Sequence, residues 1–256
     1  MLDQFTYAEY ADLLARLRHG RVNLCFADFA DGGGPGDEEP FFLLRHDIDL
    51  SIEAALEMAR REAEMEVRAT YFLLLSCEHY NLLAEEHAGA ARELVGMGHE
   101  VGLHYDVRAI ARRSDDPASQ LRLEADLLSA LAGAPVRSIA MHLPGLHGED
   151  PFAGGTEFVN AYDSRFTDEI AYFSDSCGAW RDNAVEALES DELPPRLQLL
   201  THPFYWRTQP GDRWERLDRW GTALRRRIEG IEERIRRVWN AHDGAREHDE
   251  RIRRRS

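Results

Sequence analysis

A chain of 256 residues is long enough for one large domain with a substantial core. Its formal net charge of −16 is uneven: from Arg207 onward 15 Arg face 10 Asp and Glu, and ahead of it 16 Arg face 37 acids. An acidic body excludes nucleic acid as the main partner, because phosphate binding needs a basic surface. The absence of any Lys excludes lysine Schiff-base and lysine-nucleophile chemistry.

Taken in chain order, Tyr10, Leu13, Leu14 and Leu17 share one face of a helix over Tyr7 to Leu17. Asp31 to Gly36 is a flexible Gly-rich loop. It leads into the apolar run Phe41 to Leu44, which reads as a strand. Ser51 is placed to N-cap a helix carried by Ile52, Ala55, Leu56, Ala59 and Ala63. Ala69 to Leu75 follows as a strand. Leu82 to Met97 follows as a helix, with Gly98 suited to its left-handed C-terminal position.

His99 falls in the turn before the next strand, where exposure to solvent is expected. That strand runs from Glu100 and ends near His104. Leu121 to Leu131 is helical, stopped by Gly133 and Pro135. The strand Ile139 to Met141 precedes a Gly- and Pro-rich loop from Pro144 to Gly155, and strands near Tyr172 and Leu199 follow. Arg213 to Trp239 is a long charged helix with Leu217, Trp220, Leu224, Ile228 and Ile231 as an apolar stripe, expected to pack on the body. Gly221 and Gly230 weaken that helix and are where a break could fall.

The apolar runs lie about 20 to 35 residues apart, the spacing of βα units, and predict mostly parallel strands. In such folds the side chains at the C-terminal strand ends converge on one site. Five runs end in a polar cluster carrying His or Asp: Arg45-His46-Asp47-Ile48-Asp49, His104-Tyr105-Asp106, His142-Leu143-Pro144, Ser174-Asp175-Ser176 and Thr201-His202-Pro203. Five together suggest a metal-dependent hydrolytic site.

Residues two apart in an extended chain point to the same side, so Asp47 and Asp49 can address one site, as can His104 and Asp106. A catalytic divalent metal needs carboxylate or imidazole ligands with one position open for water. A neighbouring carboxylate could then take the proton of that water. Asp47 and Asp49 read equally as a turn or helix cap after a strand. His142 reads as a ligand, a substrate contact or a structural residue. Asp175, Tyr105 and Trp180 could line a sugar site, and His202 is a candidate general acid or a structural residue.

Together these residues resemble the polysaccharide deacetylases with a NodB-homology domain, carbohydrate esterase family 4. Arg45-His46-Asp47-Ile48-Asp49 looks like a variant of the first family motif, and Gly98-His99-Glu100-Val101-Gly102-Leu103-His104 matches the approach to the second. His142-Leu143-Pro144 stands where the family has Arg-x-Pro. Ser174-Asp175-Ser176 through Trp180 is similar to the fourth motif, and Leu199-Leu200-Thr201-His202 to the fifth.

The resemblance covers Phe41 to Trp206 and implies a distorted (β/α) barrel. It implies Asp47 as base, Asp49 and His104 as metal ligands, and His202 as the catalytic acid. The family's second metal histidine is Arg108 here, so either His142 or Asp106 completes the site or metal binding is weakened. His142 is taken as the third ligand.

The expected domains are residues 1–206, deacetylase-like, and 207–256, a charged helical extension. The expected function is hydrolysis of an N-acetyl group on a carbohydrate, with a divalent metal, Zn, as cofactor. The alternatives are hydrolysis of another small amide, or a metal-free carbohydrate-binding or scaffold protein. Cys25, Cys77 and Cys177 are far apart, and the N-terminus lacks the basic and apolar regions of a signal peptide. No apolar run approaches the roughly 20 residues needed to span a bilayer. A cytoplasmic protein with no membrane partner is expected.

Overall fold

In the computed structural model the apolar runs become parallel strands. The structure describes residues 2, 4–36, 38–153, 155–181, 183–190 and 192–253, the side chains of residues 147 and 243–253 excepted. Helix α1 (Tyr7–Arg18) opens on a capping box. Thr6 Oγ1 accepts from Glu9 N, and the Glu9 carboxylate accepts from Thr6 N. The helix buries Tyr10, Leu13, Leu14 and Leu17, the face its spacing predicts.

Strand β1 (Val22–Leu24) precedes β2 (Phe41–Ile48), which is buried along its whole length. Burial on both faces is why β2 reads as a continuous apolar run rather than an alternation. Helix α2 (Ile52–Glu64) starts at Ser51, whose hydroxyl accepts from Ala54 N at 3.1 Å. The chain continues through β3 (Thr70–Leu74), α3 (Ala90–Gly96), β4 (Glu100–Tyr105), α4 (Val107–Arg113), α5 (Pro117–Ala132) and β5 (Ser138–Met141). It then runs through α6 (Pro144–His147), β6 (Val159–Asn160), α7 (Ser164–Thr167), β7 (Ala171–Ser174), α8 (Ala184–Glu189) and β8 (Arg196–Thr201).

The strand order is β6-β5-β4-β3-β2-β8-β7, with every neighbouring pair parallel. Strand β1 lies along the first half of β2, with Val22 opposite Phe41, and β3 along its second half, with Arg45 opposite Thr70. The sheet curls into a distorted (β/α) barrel, open between β6 and β7, which are not paired with each other among the described residues. Because β2 sits at its middle, the end of β2 is flanked by the ends of β3, β4 and β8. Strands β3 and β4 approach closely at Gly102, where a Cβ would lie 2.4 Å from the Phe72 ring and 2.7 Å from Ser138 Oγ.

Two local expectations are corrected, and one further helix appears. The helix expected from Leu82 begins only at Ala90, because Gly89 takes a left-handed conformation and residues 81–89 form turns. Helix α4 was not foreseen: Asp106 caps it by accepting from Arg108 N and Ala109 N. His99 is buried, not exposed. Its Nδ1 accepts from Ala69 N at 3.2 Å and its Nε2 donates to Ala59 O at 3.0 Å.

The chain divides into two compact units, Met1–Pro210 and Gly211–Ser256. The second is the helix α9 (Arg213–Arg253), which runs through Gly221 and Gly230 without a break. Along this helix Leu217, Ile228 and Ile231 are exposed. Among the described residues no helix is long and apolar enough to cross a membrane.

Candidate metal centre and cleft

Alternation along β2 sends Arg45 and Asp47 to one face and His46 to the other. Arg45 is fully buried and holds Asp47 with two parallel bonds, Nε to Oδ1 and Nη2 to Oδ2, both 2.8 Å. Its guanidinium also stacks 4.3 Å from the centre of the Tyr162 ring. Burial would push the Asp47 carboxyl up, but the Arg45 guanidinium and then His104 outweigh it and hold it below the usual range. Asp47 is therefore a fixed, ionised carboxylate.

Beyond β2, Asp49 meets the ends of β4 and β5. Asp49 Oδ1 lies 3.3 Å from His104 Nε2 and 3.2 Å from His142 Nδ1, and the two imidazole nitrogens are 3.1 Å apart. His104 Nδ1 donates to Ala140 O at 2.8 Å, which leaves the lone pair of Nε2 facing the group. His142 is pinned by its backbone N donating to Tyr105 O at 2.9 Å. Leu143 follows it with φ 51°, a strained left-handed conformation for a bulky residue.

These three donor atoms fit a divalent cation. Asp49 Oδ1 is buried without a hydrogen-bond partner, a costly state unless something else satisfies it. Donors about 2.0–2.1 Å from one tetrahedral ion lie about 3.3 Å from each other, the spacing found here. Asp49, His104 and His142 are thus brought together as expected. Asp106 is not part of the group, being committed to capping α4, and the Arg108 side chain is exposed.

His202 closes the other side of the site, with Nε2 3.8 Å from Asp49 Oδ2. Asp175 holds it twice: His202 Nδ1 lies 2.7 Å from Asp175 Oδ1, and the His202 backbone N donates to the same oxygen at 2.9 Å. Trp206 Nε1 donates to Asp175 Oδ2 at 2.8 Å. Burial works against the charged ring, but Asp175, then Asp49 and Asp47, raise His202 from 6.5 to about 9. It is protonated at neutral pH.

The three expected sugar contacts are corrected. Asp175 is fully buried beneath His202 and serves that histidine. Tyr105 is fully buried with its hydroxyl donating to Asp150 Oδ1. Trp180 stacks on Phe5 and donates its indole N–H to Leu2 O. None of them lines the cleft over the site, a space of about 570 Å³ whose walls are Tyr162, Tyr172, Tyr205, Leu143, Leu146 and Arg181.

Sequence reasoning also left Arg45 without a role, although a cation two positions before Asp47 on one strand face was a usable signal. Behind β2, His46 Nε2 lies 2.8 Å from Glu62 Oε1 and its Nδ1 lies 2.8 Å from Thr201 Oγ1. Tyr10 and Tyr71 donate to the same glutamate. This buried network ties α1 and α2 to the strand ends that carry Asp47 and His202.

No protein-family model matches the chain, and no curated protein matches it. Among solved structures, the chain is similar to BA3943, a CE4 family pseudoenzyme from Bacillus anthracis, at 18% identity and TM-score 0.42 over 76% of this chain. The chain spans 63% of that protein's length. It is similar to peptidoglycan deacetylase PdaC from Bacillus subtilis at 16% identity and TM-score 0.43, over 65% of this chain and 76% of that one. It is also similar to a family 4 acetyl xylan esterase from Clostridium thermocellum, solved with a cobalt ion, at 16% identity and TM-score 0.45 over 73% and 84%.

Proposed function

We propose that this chain is a metal-dependent hydrolase that removes an N-acetyl group from a sugar or sugar precursor. The observation that carries this reading is the convergence of Asp49 Oδ1, His104 Nε2 and His142 Nδ1, 3.1 to 3.3 Å apart, between an ionised carboxylate and a protonated histidine. A divalent cation held by these three, Zn being the match for two imidazoles and a carboxylate, would supply a Lewis acid that polarises the acetyl carbonyl and acidifies water.

The rest is work for the chain's own groups. Asp47, held in place by Arg45, accepts the proton of the attacking water. His202 carries a proton on Nε2 and delivers it to the leaving amine nitrogen, while Asp175 keeps the ring oriented and charged. The tyrosines of the cleft offer hydroxyls and flat faces to a sugar ring. A cytoplasmic setting is part of the proposal and favours a soluble precursor over an assembled polymer.

Acetate release from a panel of N-acetylated sugars tests the reading. The metal-loaded protein should release acetate, chelation should stop it, and Asp47→Asn should keep its metal while losing turnover. A metal-loaded protein inert toward every sugar, or one releasing acetate equally well after chelation, contradicts it.

A further inference from the structure

Helix α9 carries an apolar seam with the period of a coiled coil. Trp214, Gly221, Ile228 and Ile235 recur every seven residues, and Leu217, Leu224, Ile231 and Val238 recur every seven residues at an offset of three. These are the a and d positions of four successive heptads, a repeat of 3.5 rather than 3.6 residues. The seam is open to solvent where it is most apolar: Ile228 is 50% exposed and Val238 66%. A 41-residue helix with charged outer faces gains its stability by burying such a stripe.

The residues flanking the seam identify what covers it. The g positions are Arg213, Trp220, Arg227 and Arg234, and the e positions are Asp218, Arg225, Glu232 and Trp239. In a parallel, in-register pair of identical helices, each g residue faces the e residue five positions later on the other copy. That arrangement sets Arg213 against Asp218 and Arg227 against Glu232, two opposite-charge pairs. It sets Trp220 against Arg225 and Arg234 against Trp239, two cation–π pairs. A fully overlapped antiparallel pair would set Arg213 against Arg234, which repel, and Asp218 against Trp239. It would keep only Trp220 against Arg227 and Arg225 against Glu232, so parallel register satisfies more of the flanking charges.

We propose that α9 is an oligomerisation helix, covered in solution by α9 of a second copy of this chain in parallel register. Ile228 and Ile235 at a with Leu224 at d suit two strands, and Ile231 at d admits a third. The inference stands independently of the proposed chemistry, since it uses no residue of the metal centre or the cleft.

The test is the mass of the full-length chain by size-exclusion chromatography with light scattering. Wild type should elute at a multiple of its 29.3 kDa, and Ile228→Asp with Ile235→Asp should return it to a single chain. Arg227→Glu alone should weaken association, and adding Glu232→Arg should restore it, a rescue that loss of folding would not give. For orientation, Ile228→Cys in a Cys177→Ser background should oxidise to a covalent dimer, because only parallel register brings position 228 against itself. A single-chain mass for wild type overturns the proposal, as does a multiple mass unchanged by the two aspartates. A multiple mass without the disulfide overturns the parallel register.

Discussion

Asp175→Asn isolates the contact that favours the protonated form of His202. The asparagine keeps the shape of the side chain. With its one oxygen at the Oδ2 position it can still accept from Trp206 Nε1 and, at 3.1 Å, from the His202 backbone N, while its NH2 faces His202 Nδ1. What it removes is the negative charge 2.7 Å from His202 Nδ1, the leading cause of the rise from 6.5 to about 9. That rise corresponds to roughly 3 kcal/mol of preference for the protonated ring, at about 1.4 kcal/mol per pH unit. Asp49 and Asp47 remain, so the variant ring should titrate about 1 to 2 pH units lower rather than return fully to 6.5.

Two readouts check this. Titration of the His202 ring by NMR in the metal-free protein should give about 9 in wild type and a clearly lower value in the variant. Because the folded-state value is raised, the histidine contributes stability that is fully present below about 6.5 and lost as pH rises through about 9. Denaturant unfolding should therefore show wild type losing roughly 3 kcal/mol across that window and Asp175→Asn losing much less. Equal titration of His202 in the two proteins, or a wild-type value near 6.5, would refute the reasoning.

Arg45→Met strands the Asp47 carboxylate in a buried site, and should cost roughly 3–5 kcal/mol in urea unfolding while moving the acid limb of activity to higher pH. Glu62→Ala removes the shared acceptor of Tyr10 and Tyr71 and the partner of His46, and should cost about 1–3 kcal/mol for each buried donor left unpaired, by the same measurement. Gly102→Ala puts a methyl into the Phe72 ring and Ser138, and should lower stability by about 1–3 kcal/mol; an unchanged unfolding midpoint would mean β3 and β4 can separate there freely.

The strands were legible because a buried parallel strand writes itself as an apolar run, and the candidate site because five of those runs end in a polar cluster carrying His or Asp. Asp49, His104 and His142 are the clearest case, three residues from three strand ends that meet at one point. The errors came from side-chain direction, which spacing does not give. Asp175 and Tyr105 sit at or beside strand ends as predicted, but their side chains turn into the core toward His202 and Asp150. His99 looked like a turn residue because its partners, Ala59 and Ala69, belong to α2 and the start of β3. Tyr162 and Arg181 reach the cleft from loops with no periodic signal. The seam of α9 was read only as far as Ile231, so its heptad register, set by Ile235 and Val238, stayed hidden.

The most direct test of the account is calorimetric titration of divalent zinc into the purified, chelator-treated chain. One ion should bind per chain, and His142→Ala should weaken affinity at least as much as the roughly 10- to 100-fold typical of outer-shell changes, close to the loss in His104→Ala. No binding by wild type, or an affinity indifferent to His142→Ala, would contradict the metal centre on which the proposed chemistry rests.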